Sequence, residues 1–267
     1  FFGYGNHTEI KSGDKSDLDQ RYNWVRMHRS TVTPLLKYKT PTGRYSFSIG
    51  PSFNSNRIIH FDGRITEDTA SIFISEDFKY RFYMGITGTY EVNSVDNPKR
   101  PTRGMHFSVT PFWNKQLGEK TTNYGFNSFL SYFLSFGRKW QPTFAARVGF
   151  NMVAGSPELY HHPTLGTNNY LRGYRNDRFT GDKAFYANLE WRLPIYDWDN
   201  RILPLNFDVA LGADLGRVWY SGQTSQRWHA GYTASLSVDL LGYFMLVPSV
   251  SYSVDENFFF NFSTGWR

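Results

Sequence analysis

The sequence predicts an all-β fold, an antiparallel transmembrane β-barrel with about twelve strands visible, on three observations. Apolar side chains recur at every second position, the alternating segments are longer than globular strands, and short connections alternate with long ones. The chain has 267 residues, 19% of them aromatic, and a mean hydropathy of −0.50. That average, and the lack of any apolar run of about 18 residues, exclude a helical membrane bundle. The longest such stretch, 240–250, is interrupted by Gly242 and Pro248. So many large rings exclude a disordered chain. No cysteine is present, which excludes a disulfide framework and a thiolate-held metal. The net charge of +6 is not gathered into a basic run, so nucleic acid is not an expected partner. Lacking an initiating Met and a signal-peptide pattern, the chain reads as a mature or trimmed product.

Strands are expected at 1–9, 22–38, 44–56, 78–92, 104–114, 123–136, 142–154, 183–194, 204–219, 228–241, 243–254 and 257–267. In 44–56, Tyr45, Phe47, Ile49, Pro51 and Phe53 share one face, and Ser46, Ser48, Gly50, Ser52 and Asn54 the other. Tyr80, Phe82, Met84 and Ile86 repeat the pattern, as do Phe207, Val209, Leu211 and Ala213, and Ala234, Leu236, Val238 and Leu240. Most segments run about 9–16 residues, against about 5–6 in globular sheets and about 9–11 for a tilted membrane-crossing strand. The length therefore favours a barrel whose apolar face meets lipid and whose small polar face meets a wet lumen. Closure also removes sheet edges that lipid would leave unsatisfied. The connections at 39–43, 137–141 and 241–242 are short, and those at 10–21, 57–77, 115–122, 155–182 and 220–227 are longer. Segments 93–103 and 195–203 are longish on the short-turn side. Trp24, Trp113, Trp140, Trp191, Trp219, Trp228 and Trp266 near strand ends suit interfacial girdles. The chain reads as one barrel domain, 1–267.

The connection 155–182 is longer than an ordinary loop and is rich in Tyr, Asn and Gly. The strand after it presents Tyr186, Asn188, Glu190 and Arg192 to the lumen, and the next presents Asp208, Gly212, Asp214 and Gly216. Two inward carboxylates on neighbouring strands need a cation or solvent. If the loop folds inward, Arg172 offers a forked donor able to bond both. Other clusters are weaker. His161-His162 reads as a polar loop pair without metal-ligand spacing, and Asp255-Glu256 and Asp197/Asp199 read as turn acids. No nucleophile elbow, phosphate loop or dinucleotide fingerprint occurs. His106, beside Ser108, is a candidate inward histidine that a barrel enzyme could use, and it has no acid partner in view. No cofactor and no metal are expected.

Leu171-Arg172-Gly173-Tyr174 resembles the lumen-loop motif of the BamA/TamA (bacterial surface antigen) superfamily of outer-membrane assembly and translocation barrels. Asn188-x-Glu190-x-Arg192-x-Pro194 and Asp214-Leu-Gly216-x-Val-Trp219 resemble the two strands that follow that loop. Asp96-Asn97-Pro98-x-x-Pro101-Thr102-Arg103-Gly104 is similar to a turn motif on the family's periplasmic side. The motifs stand in the family's order and cover the chain from about residue 80 to its end. The resemblance implies that 155–182, including Arg178, Phe179 and Gly181, plugs the lumen and that Arg172 contacts Glu190 and Asp214. Phe258, Phe260, Phe262, Gly265 and Trp266 resemble the aromatic last strand by which such barrels are recognised for insertion. The family's usual barrel has sixteen strands, five of them after the loop. Here five segments follow the loop and seven precede it. Either four strands are missing or the barrel closes at twelve, with a weak seam between 1–9 and 257–267. The family's periplasmic repeats are absent from this sequence. The implied setting is the outer membrane of a Gram-negative bacterium, and the implied partners are outer-membrane lipids, lipopolysaccharide, and unfolded outer-membrane proteins or secreted polypeptide. The implied role is insertion or translocation of protein or lipid without bond-making chemistry. A passive channel or a structural barrel, dimeric or not, remains the alternative, with a barrel enzyme third.

Overall fold

The computed structural model describes residues 3–6, 22–67, 73, 75–98, 100–137, 141–168, 170–198, 205–240 and 244–264. Its strands are β1 Arg26–Val32, β2 Leu36–Lys39, β3 Tyr45–Ile59, β4 Arg81–Asn93, β5 Gly104–Gln116, β6 Thr122–Ser135 and β7 Thr143–Gly155. After two short loop strands, β8 Thr164–Leu165 and β9 Phe179–Thr180, come β10 Lys183–Trp198, β11 Leu205–Trp219, β12 His229–Leu240, β13 Phe244–Ser253 and β14 Asn257–Thr264. All but β8 and β9 form one antiparallel sheet of 12 strands, in which β1 and β2 both pair with β3 and from β3 onward the staves pair in chain order. No described helix is long and apolar enough to cross a membrane.

The faces are inverted relative to a globular protein. On β3, Tyr45, Phe47, Ile49 and Phe53 are exposed while Ser46, Ser52 and Asn56 are buried. On β12, Tyr232 and Leu236 point out and Thr233, Ser235, Ser237 and Asp239 point in. Among the described residues, buried polar side chains outnumber buried apolar ones. Such a surface is stable only when hydrocarbon covers its apolar side.

The connection from β7 to β10 shows how the sheet curves. Tyr160 accepts a hydrogen bond on its carbonyl from Arg29 of β1 and meets the Tyr83 hydroxyl of β4 at 2.8 Å. Further along, Gly173 accepts from Ser253 of β13. One loop thus touches strands at both ends of the ladder, and the sheet wraps round it.

Three expectations are corrected. Of the expected strand 1–9, the described residues 3–6 do not form a stave: Tyr4 and Gly5 bridge to Thr180 in the long loop, and the Asn6 side chain bonds the Val218 N–H and carbonyl. That amide takes the β11 edge groups that a neighbouring strand would take. The seam expected between 1–9 and 257–267 falls partly outside the described residues, and among the described residues no pairing joins β14 to β1. The expected strand 22–38 is two strands, β1 and β2, pairing with successive parts of β3. Pro34, which lacks an N–H, lies in the break and packs its carbonyl where a side chain at Gly50 would sit. The expected long loop 115–122 is the short connection 117–121, because β5 and β6 run on to Gln116 and Thr122. Phe1, Phe2, Trp140, Asp199, Gly242, Gly265 and Trp266 lie outside the described residues.

Candidate functional site

The loop is a folded unit. β8 and β9 pair, Thr167 N–H bonds Tyr174 O at 3.1 Å, and Leu171 N–H bonds Gly166 O at 3.0 Å. Leu165, Leu171, Tyr174 and Phe179 then pack on Ala184, Tyr186 and Val218 from the inner wall, forming an apolar cluster inside the barrel. Glycines on the inner faces of the strands make room for it. A Cβ at Gly216 would press on Leu165 and Leu171, one at Gly212 on the Arg172 guanidinium, and one at Gly231 would collide with the Arg172 carbonyl. Gly173 itself has φ +89°, a backbone region that glycine enters without strain.

Arg172 is the ionic centre. Its Nε and Nη2 donate to the two oxygens of Asp214 at 2.8 and 2.7 Å, and its backbone N–H adds a third bond to the same carboxylate at 2.8 Å. Nη1 donates to Glu190 at 2.7 Å. The fork is a two-bond pair of the strong, charge-assisted kind. Burial alone would lower the guanidinium pKa, but the bonds and charges of Asp214 and Glu190 outweigh it and hold the group charged. Glu190 also accepts from Arg192 Nε at 2.6 Å, so it keeps a cation without Arg172, whereas the side chain of Asp214, 1% exposed, depends on Arg172 for its charge.

The rest of the loop is tied to β12 and to the β13–β14 turn. Tyr174 donates its hydroxyl at 3.1 Å to the Ala230 carbonyl and lies 3.2 Å from Asp255. Phe179 stacks on His229, and Arg178 pairs with Glu256 in the β13–β14 turn. Gly181 donates its N–H to Pro163.

The β4–β5 turn is closed by Asp96, which accepts from the backbone N–H groups of Asn97, Thr102 and Arg103 and from the Thr102 hydroxyl. Although desolvation raises its pKa, those bonds outweigh it and leave the carboxyl below the usual range. Pro98 and Pro101 shape the turn, Asn97 Oδ1 accepts from the Arg100 N–H, and Gly104 has φ +111°. The turn reaches the wall that carries the loop. Arg100 pairs with buried Asp208 of β11, and Arg192 bonds the Pro101 carbonyl at 3.4 Å. Charges therefore run in sequence from Asp208 and Arg100 through Arg192, Glu190 and Arg172 to Asp214. The pairing of Arg100 with Asp208 was not read from the sequence, where 108 residues separate them. Asp208 on an inner face was the available signal.

His106 does have an acid. Its Nε2 lies 2.9 Å from Glu91, whose other oxygen accepts from Ser46. The hydroxyl is on the carboxylate and not on the imidazole, so this is not the nucleophile–base contact that acyl transfer needs. Phe258, Phe260 and Phe262 are exposed on the outer face of β14. Among the described residues no group of His, Asp and Glu could hold a metal.

A model of the Omp85 superfamily domain matches residues 1–241. Among solved structures, the chain is similar to the crystal structure of BamA from Haemophilus ducreyi lacking POTRA domains 1-3, with a TM-score of 0.68 at 11% identity. The match covers 91% of this chain and 54% of that one, so the chain spans about half the length of the BamA chain it matches. At that identity the likeness shows the fold alone. No curated protein matches.

Proposed function

Because the chain belongs to the Omp85 superfamily, the class of BamA- and TamA-type outer-membrane barrels, we propose that it assists insertion or translocation of proteins or lipids at the outer membrane, with its Arg-Gly-Tyr loop locked in the lumen. The observation that carries the reading is the loop around Arg172, bonded to Glu190 and Asp214 and tied to β12 and β13. A buried ion pair is weak as a source of stability, and its best-attested use is to select one conformation. Here it fixes a loop that fills the lumen, which favours an assembly role over a passive channel. The work is done by positioning and by the bilayer-facing wall, without bond-making; the placement of Ser46 on Glu91 supports that. The partners are outer-membrane lipids and lipopolysaccharide on the outer face, and an unfolded outer-membrane protein or secreted polypeptide as client.

The test uses the purified protein in phospholipid vesicles and a urea-unfolded small barrel as client, with insertion read as protease-resistant, heat-modifiable client on gels. Vesicles carrying the protein should insert the client several-fold faster than empty vesicles. Equal rates refute the assembly reading, and a large steady conductance in planar bilayers would favour the channel.

A further inference from the structure

Beneath the loop the lumen holds a cavity of about 400 Å³, lined by Arg147, Tyr170, Phe133, Asn168 and Asn188 together with the ionic centre. Arg147 comes from the inner face of β7. Its Nε donates to Ser131 at 2.8 Å, and its guanidinium carbon lies 5.2 Å from the Phe129 ring and 5.6 Å from the Tyr170 ring. Both rings are held in place: Phe129 meets His106 edge-on at 4.9 Å, and Tyr170 stacks on Tyr186 at 4.1 Å. The cation is thus seated by ring faces, which attract it without neutralising it. Among the described residues its two terminal nitrogens have no hydrogen-bond partner and no carboxylate.

The charge inventory gives the same result. Three guanidiniums, Arg147, Arg172 and Arg192, belong to this region, against two carboxylates, Glu190 and Asp214. Both carboxylates are taken by Arg172 and Arg192. One positive charge is left over, on a planar fork that opens on a cavity with apolar rings on its wall. A single net charge matches a monoanion. The fork geometry suits a carboxylate.

We propose that this cavity binds a small organic carboxylate, its oxyanion held by the two terminal nitrogens of Arg147 and its apolar body against Phe133 and Tyr170. A second cavity of about 420 Å³, lined by Arg100, Gln141 and Asp208, adjoins on the side of the β4–β5 turn, and Arg192 lines both. The inference needs the lumen and the loop but not an assembly activity.

The test uses 4-fluorobenzoate and its neutral counterpart 4-fluorobenzamide with the detergent-solubilised protein, reading fluorine line broadening. Saturable binding of the carboxylate is expected, with affinity at least about tenfold above the amide. R147Q should lose that preference, R147K should keep part of it, and R64Q, at a cation seated on Phe61 in the connection from β3 to β4, should bind as wild type. No saturable binding to the wild type, or equal binding of acid and amide, overturns the proposal. So does unchanged affinity in R147Q with its gel shift intact. Should R147Q fail to fold, the acid–amide comparison on the wild type decides.

Discussion

Replacing Arg172 with Ala removes one cation from two carboxylates, and the structure makes the two consequences unequal. Glu190 still has Arg192 at 2.6 Å, whereas Asp214, with its side chain 1% exposed, is left buried without a counter-charge. Removing one partner of a buried pair costs about 3–5 kcal/mol, most of it from the orphaned charge. R172A should therefore lose about that much in urea unfolding from vesicles, read by Trp fluorescence, and its loop should become protease-sensitive. The pairing also predicts which second substitution rescues. D214N removes the orphan, so R172A/D214N should recover about 2 kcal/mol or more of the loss, a coupling readily resolved in a double-mutant cycle. E190Q should not rescue, because it takes the carboxylate from Arg192, and R172A/E190Q should lie about 1–3 kcal/mol below R172A. Additive losses for Arg172 and Asp214, or equal rescue by both partners, would refute the assignment of the cost to Asp214.

G231A should weaken the loop seat by about 1–3 kcal/mol, since its methyl would collide with the Arg172 carbonyl; loop proteolysis with an intact gel shift is the readout. D96A removes the carboxylate that accepts from three backbone N–H groups and the Thr102 hydroxyl in the β4–β5 turn, and its loss of about 1–3 kcal/mol in urea unfolding should be salt-insensitive compared with that of R100Q. His161 is a pH element. Burial holds its pKa down to about 3, and its Nδ1 accepts the Glu158 N–H at 3.1 Å, which requires the neutral ring. Between about 6.5 and that value the unfolded chain binds the extra proton, so stability is full above pH about 6.5 and falls as the pH drops through the window. Burial raises the pKa of neighbouring Glu158 against the pull of Arg81, which acts with opposite sign, so the histidine contribution is the difference from H161Q. Loop proteolysis should rise from pH 7 to pH 4 more steeply in wild type than in H161Q, and parallel profiles would remove the assignment.

Period-two alternation is a local property, and it made the staves and their two faces legible. It places Ser235 and Ser237 inward and Leu236 outward whatever the rest of the chain does. The same rule sets Glu190 and Asp214 on inner faces, but it cannot bring a loop to them. Partnerships across the lumen depend on register and curvature, which no local pattern carries. His106 and Glu91 show this: both alternate inward, yet they meet only because β4 pairs with β5 so that Asn93 faces His106 and Glu91 faces Ser108. Arg100 reaches Asp208 for the same reason. Arg147 has no signal beyond an inward position in β7. At residues 3–6 local pattern misleads, because the contacts of Asn6 with Val218 make them a cap on the edge of β11. Pro34 did carry a readable signal for the break between β1 and β2.

The account depends on hydrocarbon outside and water within, and the chain offers a direct probe, since without cysteine every introduced one is a unique label site. Nitroxides placed one at a time from Tyr232 to Val238 on β12, with the protein in vesicles, report collision with lipid-soluble oxygen and with a water-soluble nickel chelate. The account predicts alternation at every residue, with oxygen contact high at Ala234 and Leu236 and low at Ser235 and Ser237, and no nickel contact at the former pair. Labels at Ala234 and Leu236 that met nickel, or no oxygen, would contradict it.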